Sequence, residues 1–252
     1  MKFFFTSSEN NTAKNAAEKY KKKYGQNKPE DSDVIIAIGG DGFLLKTLHD
    51  YQNIKKSFYG INFGSIGFLM NKDTDTNLEQ IIKNAQKIEL RPLNMTAINN
   101  KSEIFKSIAF NEVSLMRQTH QAAKISVEIN KITRMEELIC DGILVSTPAG
   151  STAYNFSAHG SIIPLDSRLL TLTPISAFRP RRWRGALLPE KSKIKFIINS
   201  EKNRLVSVTA DYNEFRDVET VEISSSTDLT FNLLFDHKNS IEEKVLKEQF
   251  FE

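Results

Sequence analysis

The tetrapeptide Gly39-Gly40-Asp41-Gly42 sets one carboxylate among three glycines, directly after the apolar run Val34–Ile38. Glycines at such a turn let backbone come close to a ligand, with amides free to meet phosphate oxygens. The end of a parallel strand is also where α/β folds place ligands. The competing reading is a tight strand-to-helix turn with Asp41 as a helix cap, and four residues do not separate the two. Two further segments carry polar groups in compact array. Phe110-Asn111-Glu112-Val113-Ser114-Leu115 puts an amide beside a carboxylate; in isolation it reads equally as a strand edge with solvated polar residues. Asp141-Gly142-Ile143-Leu144-Val145-Ser146-Thr147-Pro148-Ala149-Gly150-Ser151-Thr152-Ala153-Tyr154-Asn155 ends in small and hydroxyl residues, which also make a good turn in their own right.

The elements that must position these groups follow from periodicity. Lys2–Thr6 is an aromatic strand candidate, and Ala13, Ala16, Ala17, Tyr20 and Tyr24 fall near helical spacing before Gly25. Val34–Ile38 reads as a strand buried on both faces, Phe43–Leu48 as the start of a helix, and Phe58–Asn62 as a further strand. Thr76-x-x-Glu79 is a capping box ahead of Leu78, Ile81, Ile82 and Ala85. Alternating strands and helices predict a Rossmann-like α/β domain with a parallel sheet. From Arg91-Pro92 onward short β-rich runs follow one another: Met95–Asn99, Ser107–Met116, Lys124–Ile129, Gly142–Ser146, Lys193–Ile198, Val206–Ala210, Val218–Ile223 and Leu229–Leu234. These predict a β-sandwich-like domain of packed antiparallel sheets. Ser240-x-x-Glu243 opens a last helix, expected to return to the first domain. The expected division is 1–91 plus 236–252 for the α/β domain and 92–235 for the β-rich one.

Bulk properties exclude several classes. With 252 residues, 40% hydrophobic and 26% charged, the chain has apolar content for a core, and a net charge of +3 is too mild to imply nucleic acid. Cys140 is the only cysteine, so neither an intrachain disulfide nor a cysteine zinc cage can form, which fits a reducing compartment. No apolar run reaches 18 residues and the aromatic N-terminus turns polar at once, so neither membrane nor signal peptide is expected, and the location read from this is cytoplasmic. The histidines His49, His120, His159 and His237 are scattered, without zinc-site spacing. Lys21-Lys22-Lys23 closes a surface helix and complements its dipole.

Taken in order with Gly60-Ile61-Asn62-Phe63-Gly64-Ser65-Ile66-Gly67-Phe68-Leu69, the three segments resemble the NAD kinase family from about Asp33 to Asp211. The Gly-Gly-Asp-Gly piece also occurs in diacylglycerol and sphingosine kinases, whereas the Asn-Glu pair followed by the Asp141–Asn155 run is specific. The resemblance implies phosphoryl transfer from ATP to the adenosine 2′-hydroxyl of NAD. It makes Asp41 the general base or hydroxyl-orienting group, Asp41 and Gly42 contacts of the bound NAD, and Gly39, Gly40 and Gly42 the donor phosphate loop. A free Asp, with a pKa of roughly 3.9, is a weak base, but deprotonation comes late in a loose phosphoryl-transfer transition state. Asn111 matches an adenine contact and Glu112 a carboxylate on the ribose diol, a good use of a group that accepts two hydroxyl hydrogen bonds. Asp141 matches an aspartate near the nicotinamide riboside half. Thr152, Ala153 and Tyr154 match adenine and nicotinamide contacts, Ser157 a further polar contact, and Phe68 an aromatic against the nucleotide, although an aromatic there is more often core. The family also implies Mg²⁺ or another divalent cation brought with ATP, needing few protein ligands, and a homodimer or homotetramer.

Two departures stand out: Cys140 where the family usually has Gly, and Ala149 where it usually has Thr. The segment Phe178-Arg179-Pro180-Arg181-Arg182-Trp183-Arg184-Gly185 packs four Arg into six residues around one Trp. It fits phosphate binding, a subunit contact or a nucleic-acid patch. Two other functions share some of the motifs: a lipid kinase, which gives no reason for Asn111-Glu112, and a catalytically silent NAD(P) sensor, which gives none for Asp41.

Overall fold

In the computed structural model, which describes residues 1–64, 67–74, 77–199, 204–236 and 250, the chain begins with β1 (Phe3–Ser7), α1 (Asn11–Tyr24), β2 (Val34–Gly39), α2 (Asp41–Asp50), β3 (Ser57–Asn62), α3 (Leu78–Lys83) and β4 (Gln86–Leu90). There follow β5 (Leu93–Asn99), β6 (Ile104–Ala109), β7 (Glu112–Arg117), β8 (Ala123–Ile129), β9 (Ile132–Cys140) and β10 (Gly142–Ser146). A 3₁₀ turn (Ala149–Thr152) and α4 (Tyr154–Ser157) lead to β11 (Leu169–Ile175), β12 (Ala186–Pro189), β13 (Lys193–Ile198), β14 (Val206–Ala210), β15 (Asn213–Phe215), β16 (Val218–Ser225) and β17 (Phe231–Phe235). Two units result, Met1–Leu90 with Thr230–Glu252, and Arg91–Leu229.

The first unit is a sheet of order β1-β2-β3-β17-β4, parallel from β1 through β17 and antiparallel at β4. All six residues of β2 are buried, as a strand covered on both faces requires. The α1 helix is capped by the Asn10 side chain, which accepts from the Thr12 amide at 2.9 Å, and is stopped by Gly25 at φ 78°. Its small face, Ala13, Ala16 and Ala17, lets it sit close on Phe3, Phe5 and Ile36. Asn77, not Thr76, caps α3 by accepting from Glu79 N at 3.0 Å; Thr76 lies outside the described residues, as do Ser240, Glu243 and the helix expected after them.

Of the run Leu229–Leu234, expected among the β-rich segments, the part from Phe231 on instead forms β17 in the first sheet. Its burial is nearly continuous, the signature of an inner strand and not of the alternating face of a sandwich. Asn71, fully buried, fixes the strand there: its amide nitrogen donates to Gly60 O at 3.1 Å and Leu234 O at 3.0 Å, and its oxygen accepts from Asp236 N at 2.8 Å. The first unit therefore takes the chain back at Thr230, ahead of the expected 236.

The second unit holds two antiparallel sheets of six strands, β12-β11-β10-β7-β14-β15 and β6-β5-β16-β13-β8-β9. One core joins their inner faces, with Val113, Leu115, Val145 and Val208 from the first and Met95, Ile125, Phe196 and Val221 from the second. Alternation is clean in β5 and β13. Ser107–Met116, read as one run, is two strands in different sheets, broken at Phe110-Asn111. The long β9 pairs with β8 through the turn Asn130-Lys131, both at positive φ, the geometry of a two-residue hairpin.

Candidate functional site

The Gly-rich turn begins where β2 ends. Gly40 is the residue before α2 and Asp41 its first residue, so the carboxylate sits at the positive end of the helix without being a cap. The Asp41 carboxylate accepts two backbone hydrogen bonds, from Phe68 N to Oδ2 at 2.7 Å and from Leu69 N to Oδ1 at 3.1 Å. It therefore holds the segment after β3 against the turn. A Cβ on Gly64 would stand 3.2 Å from the Gly40 Cα, which explains two glycines there: the backbones of the two loops pass close to each other. Gly39 packs under the Phe43 ring, whereas Gly42 is exposed with nothing within 4 Å of a Cβ. Phe68 is half-buried. A cavity of about 430 Å³ on α1, lined in part by Lys19, Tyr20, Lys23 and Asp73, includes none of these residues.

In the second unit the Asn-Glu pair lies where the chain crosses from β6 to β7. Thr147 grips it from the β10 side: its hydroxyl donates to Phe110 O at 2.6 Å and its amide to Asn111 O at 2.9 Å. The Ser146 hydroxyl donates to Asn111 O as well, at 3.2 Å. Gly150 is required here, because a Cβ would lie 2.3 Å from Asn111 O and 2.5 Å from its carbonyl carbon. On the other side the Asp211 carboxylate accepts from Phe110 N at 2.8 Å and Asn111 N at 2.9 Å.

With so much of its backbone satisfied, the pair nevertheless leaves two side-chain atoms unpaired. Asn111 Oδ1 and Glu112 Oε2 are buried without a hydrogen-bond partner among the described residues. Burial, and secondarily the Asp211 charge, raises the Glu112 carboxyl to about 8. Buried polar atoms without partners are rare in folded proteins and mark places where something else completes the bonding.

Asp141, at the entry of β10, is held by an ion pair that its sequence neighbours do not reveal: Arg117 Nε donates to its Oδ1 at 2.6 Å, and Arg117 N to its backbone oxygen at 2.9 Å. The Tyr154 hydroxyl reaches Met116 Sδ at 3.5 Å, and its acidity is reduced by burial, by the charge of Glu112 and by that of Asp141, which places all three in one neighbourhood. Thr152 closes the 3₁₀ turn and Ala153 follows it, both half-buried, while Ser157 ends α4 exposed. Asn155 is structural: fully buried, it donates to Ser151 O and Ser161 O at 3.0 Å each and accepts from Thr171 and Thr173 hydroxyls at 2.9 and 2.7 Å. Cys140 points into the core, its thiol pushed up to about 12 mainly by burial, so the departure there is one of packing. Ala149 is likewise buried.

Arg117, Thr147 and Asp211 are the residues that sequence reasoning did not assign. Thr147 lies inside the quoted run, but Asp211 is 100 residues from Asn111 and no spacing rule connects them. Among the described residues no group of three or more His, Cys, Asp or Glu is arranged to hold a metal ion, and no helix is long and apolar enough to cross a membrane.

Residues 110–231 match the family described as the ATP-NAD kinase C-terminal domain. The NAD kinase of Xylella fastidiosa is 49% identical over 246 residues, 98% of this chain and 95% of that one. Two solved structures share the fold. A yeast NADH kinase complexed with NADH superposes with a TM-score of 0.80 at 17% identity, covering all of this chain and 87% of that one. An NAD kinase from Archaeoglobus fulgidus in complex with ATP gives 0.76 at 23%, covering 98% of each. An end-to-end relative at nearly half identity, together with the matched domain over the Asn-Glu pair and the Asp141–Asn155 run, means that this chain belongs to the NAD kinase family.

Proposed function

We infer that the chain transfers the γ-phosphoryl group of ATP to the adenosine 2′-hydroxyl of NAD, producing NADP. The observation that carries the reading is the pair of orphaned oxygens, Asn111 Oδ1 and Glu112 Oε2, in a protein 49% identical to an NAD kinase. An amide oxygen accepts from an adenine amino group and a carboxylate oxygen accepts from ribose hydroxyls, so the two atoms want what the adenosine half of NAD offers. Asp141 and Tyr154 take the nicotinamide riboside half, with Thr152, Ala153 and Ser157 as flanking contacts, which makes Arg91–Leu229 the unit that selects the acceptor. A solved neighbour that carries NADH supports a dinucleotide as ligand.

Asp41 orients the 2′-hydroxyl and accepts its proton. A carboxylate has about four acceptor positions, and the amides of Phe68 and Leu69 fix its plane. Phosphoryl transfer draws most of its rate from such positioning and from charge stabilisation. Gly40 and the open Gly42, at the N-terminus of α2, receive donor phosphates, with Gly39 supporting the turn. ATP as donor is supported by a neighbour solved with ATP; Mg²⁺ enters on its phosphates as part of the substrate. The enzyme works in the cytoplasm as a homodimer or homotetramer, the state that size-exclusion chromatography with light scattering reads directly.

The test is NADP formation from NAD and Mg-ATP by the purified chain, with Glu112→Gln and Asp41→Asn in parallel. Wild type is expected to form NADP, Glu112→Gln to raise the KM for NAD, and Asp41→Asn to lower kcat. Absence of NADP from wild type overturns the function. A silent NAD(P) sensor would instead bind dinucleotide in equilibrium dialysis without turnover.

A further inference from the structure

Asp211 occupies the turn between β14 and β15, at φ 53°, where a short polar side chain is tolerated in the left-handed region. Its carboxylate takes the amides of Phe110 and Asn111, and its own amide donates to Glu112 O at 3.1 Å. Two of these three hydrogen bonds fix the backbone of Asn111 and Glu112, the residues whose side chains end in orphaned oxygens, and the third holds Phe110 just before them. The clamp uses both carboxylate oxygens, Oδ2 for the Phe110 amide and Oδ1 for the Asn111 amide, and Asn or Ser in its place offers only one acceptor oxygen. The same carboxylate brings a negative charge near the buried Glu112, where it adds to burial in favouring the protonated carboxyl. The titratable groups that the structure brings together here are Glu112 on β7, Asp211 on the β14–β15 turn, Tyr154 on α4, and Asp141, which is ion-paired with Arg117.

We propose that Asp211 is a positioning residue for the acceptor: it sets the backbone from which Asn111 and Glu112 meet the adenosine half of the dinucleotide, and its charge, acting on top of burial, moves the pH range over which Glu112 does so. This rests on the reading of Asn111 and Glu112 given above. Glu112 accepts from the ribose diol as a carboxylate, whereas burial and Asp211 favour its protonated form in the free enzyme. Acceptor binding below about pH 8 is therefore coupled to release of the Glu112 proton, and the KM for NAD falls as pH rises toward that value.

The experiment is the pH profile of the KM for NAD in wild type, Asp211→Asn, Asp211→Ser and Asp211→Glu, each checked for cooperative thermal unfolding. Both neutral variants are expected to move the pH-dependent limb down by about one unit, the order of shift that a single nearby like charge produces. They also raise the KM at high pH about tenfold, through the weakened clamp. Asp211→Glu retains the charge, so its limb stays at the wild-type pH while its KM rises. A clamp without an electrostatic role would raise the KM equally at every pH and leave the limb unmoved, which overturns the proposal. The two levels of failure separate: an unchanged KM in Glu112→Gln removes the reading of the Asn-Glu pair itself, whereas a raised KM there with an unmoved limb in Asp211→Asn removes only the role of Asp211.

Discussion

Replacing Asp41 by Asn separates the two things that this carboxylate does. In the structure its oxygens accept from the amides of Phe68 at 2.7 Å and Leu69 at 3.1 Å, and it stands in the first turn of α2. Asn keeps one acceptor oxygen and turns an amino group toward the other amide, so one charge-assisted bond is lost and the second weakens to a neutral one. Hydrogen bonds to charged groups contribute about 1.5–3 kcal/mol, and an acidic residue near a helix N-terminus about 0.3–1 kcal/mol. Because Phe68 is only half-buried, water relieves part of the loss, and the expected destabilisation is about 1–2 kcal/mol. A domain of ordinary stability stays folded after such a change. The stability term therefore cannot account for the rate loss expected of a missing proton acceptor, about 10²–10⁴-fold in kcat. Urea unfolding gives the first quantity and initial rates of NADP formation, with separate KM values for NAD and ATP, the second. A kcat within threefold of wild type alongside a lowered unfolding midpoint would refute the catalytic assignment and leave Asp41 as a loop clamp. An unchanged midpoint would show that the two backbone hydrogen bonds contribute nothing to stability in solution.

Other consequences are equally open to measurement. Glu112 binds its proton more tightly folded than unfolded, with a pKa near 8 against an ordinary 4.5, because of burial and then Asp211. The stability contribution of the proton is thus fully present below about pH 4.5 and is lost as pH rises through about 8; Glu112→Gln should flatten that decline, gaining about 2–4 kcal/mol over wild type between pH 5 and pH 8.5 in urea unfolding, and parallel curves would contradict it. Gly150→Ala drives a Cβ to within 2.3 Å of a backbone oxygen that no rotamer change can move, so about 2–3 kcal/mol of stability and much of the NAD affinity should go together, read by thermal unfolding and by KM. Asn155→Leu strands the Thr171 and Thr173 hydroxyls and the Ser151 carbonyl in the core; a loss of about 3–5 kcal/mol is expected, and a loss under 1 kcal/mol in chemical denaturation would show the network to be dispensable.

Much of this protein was legible from local pattern. The apolar run at Val34–Ile38 became the doubly covered β2, and Ala13, Ala16 and Ala17 became the packed face of α1, since strand burial and helix amphipathicity are short-range properties of spacing. The polar segments around Asp41, Asn111 and Asp141 could be picked out from residue types and order. Where local pattern stopped, long-range pairing decided. Ser107–Met116 reads as one strand until Asp211, Thr147 and Gly150 converge on Asn111 and bend the chain between two sheets. Phe231–Phe235 reads like its β neighbours until Asn71 ties it beside β3. The same holds for the chemistry. That Glu112 is a carboxyl is plain from the sequence, but that it holds a proton near neutrality, and that Asp141 is paired with Arg117, depends on which charges the fold brings near and how much water it removes. Those are properties of distance and dielectric, and neither exists until residues a hundred positions apart have met.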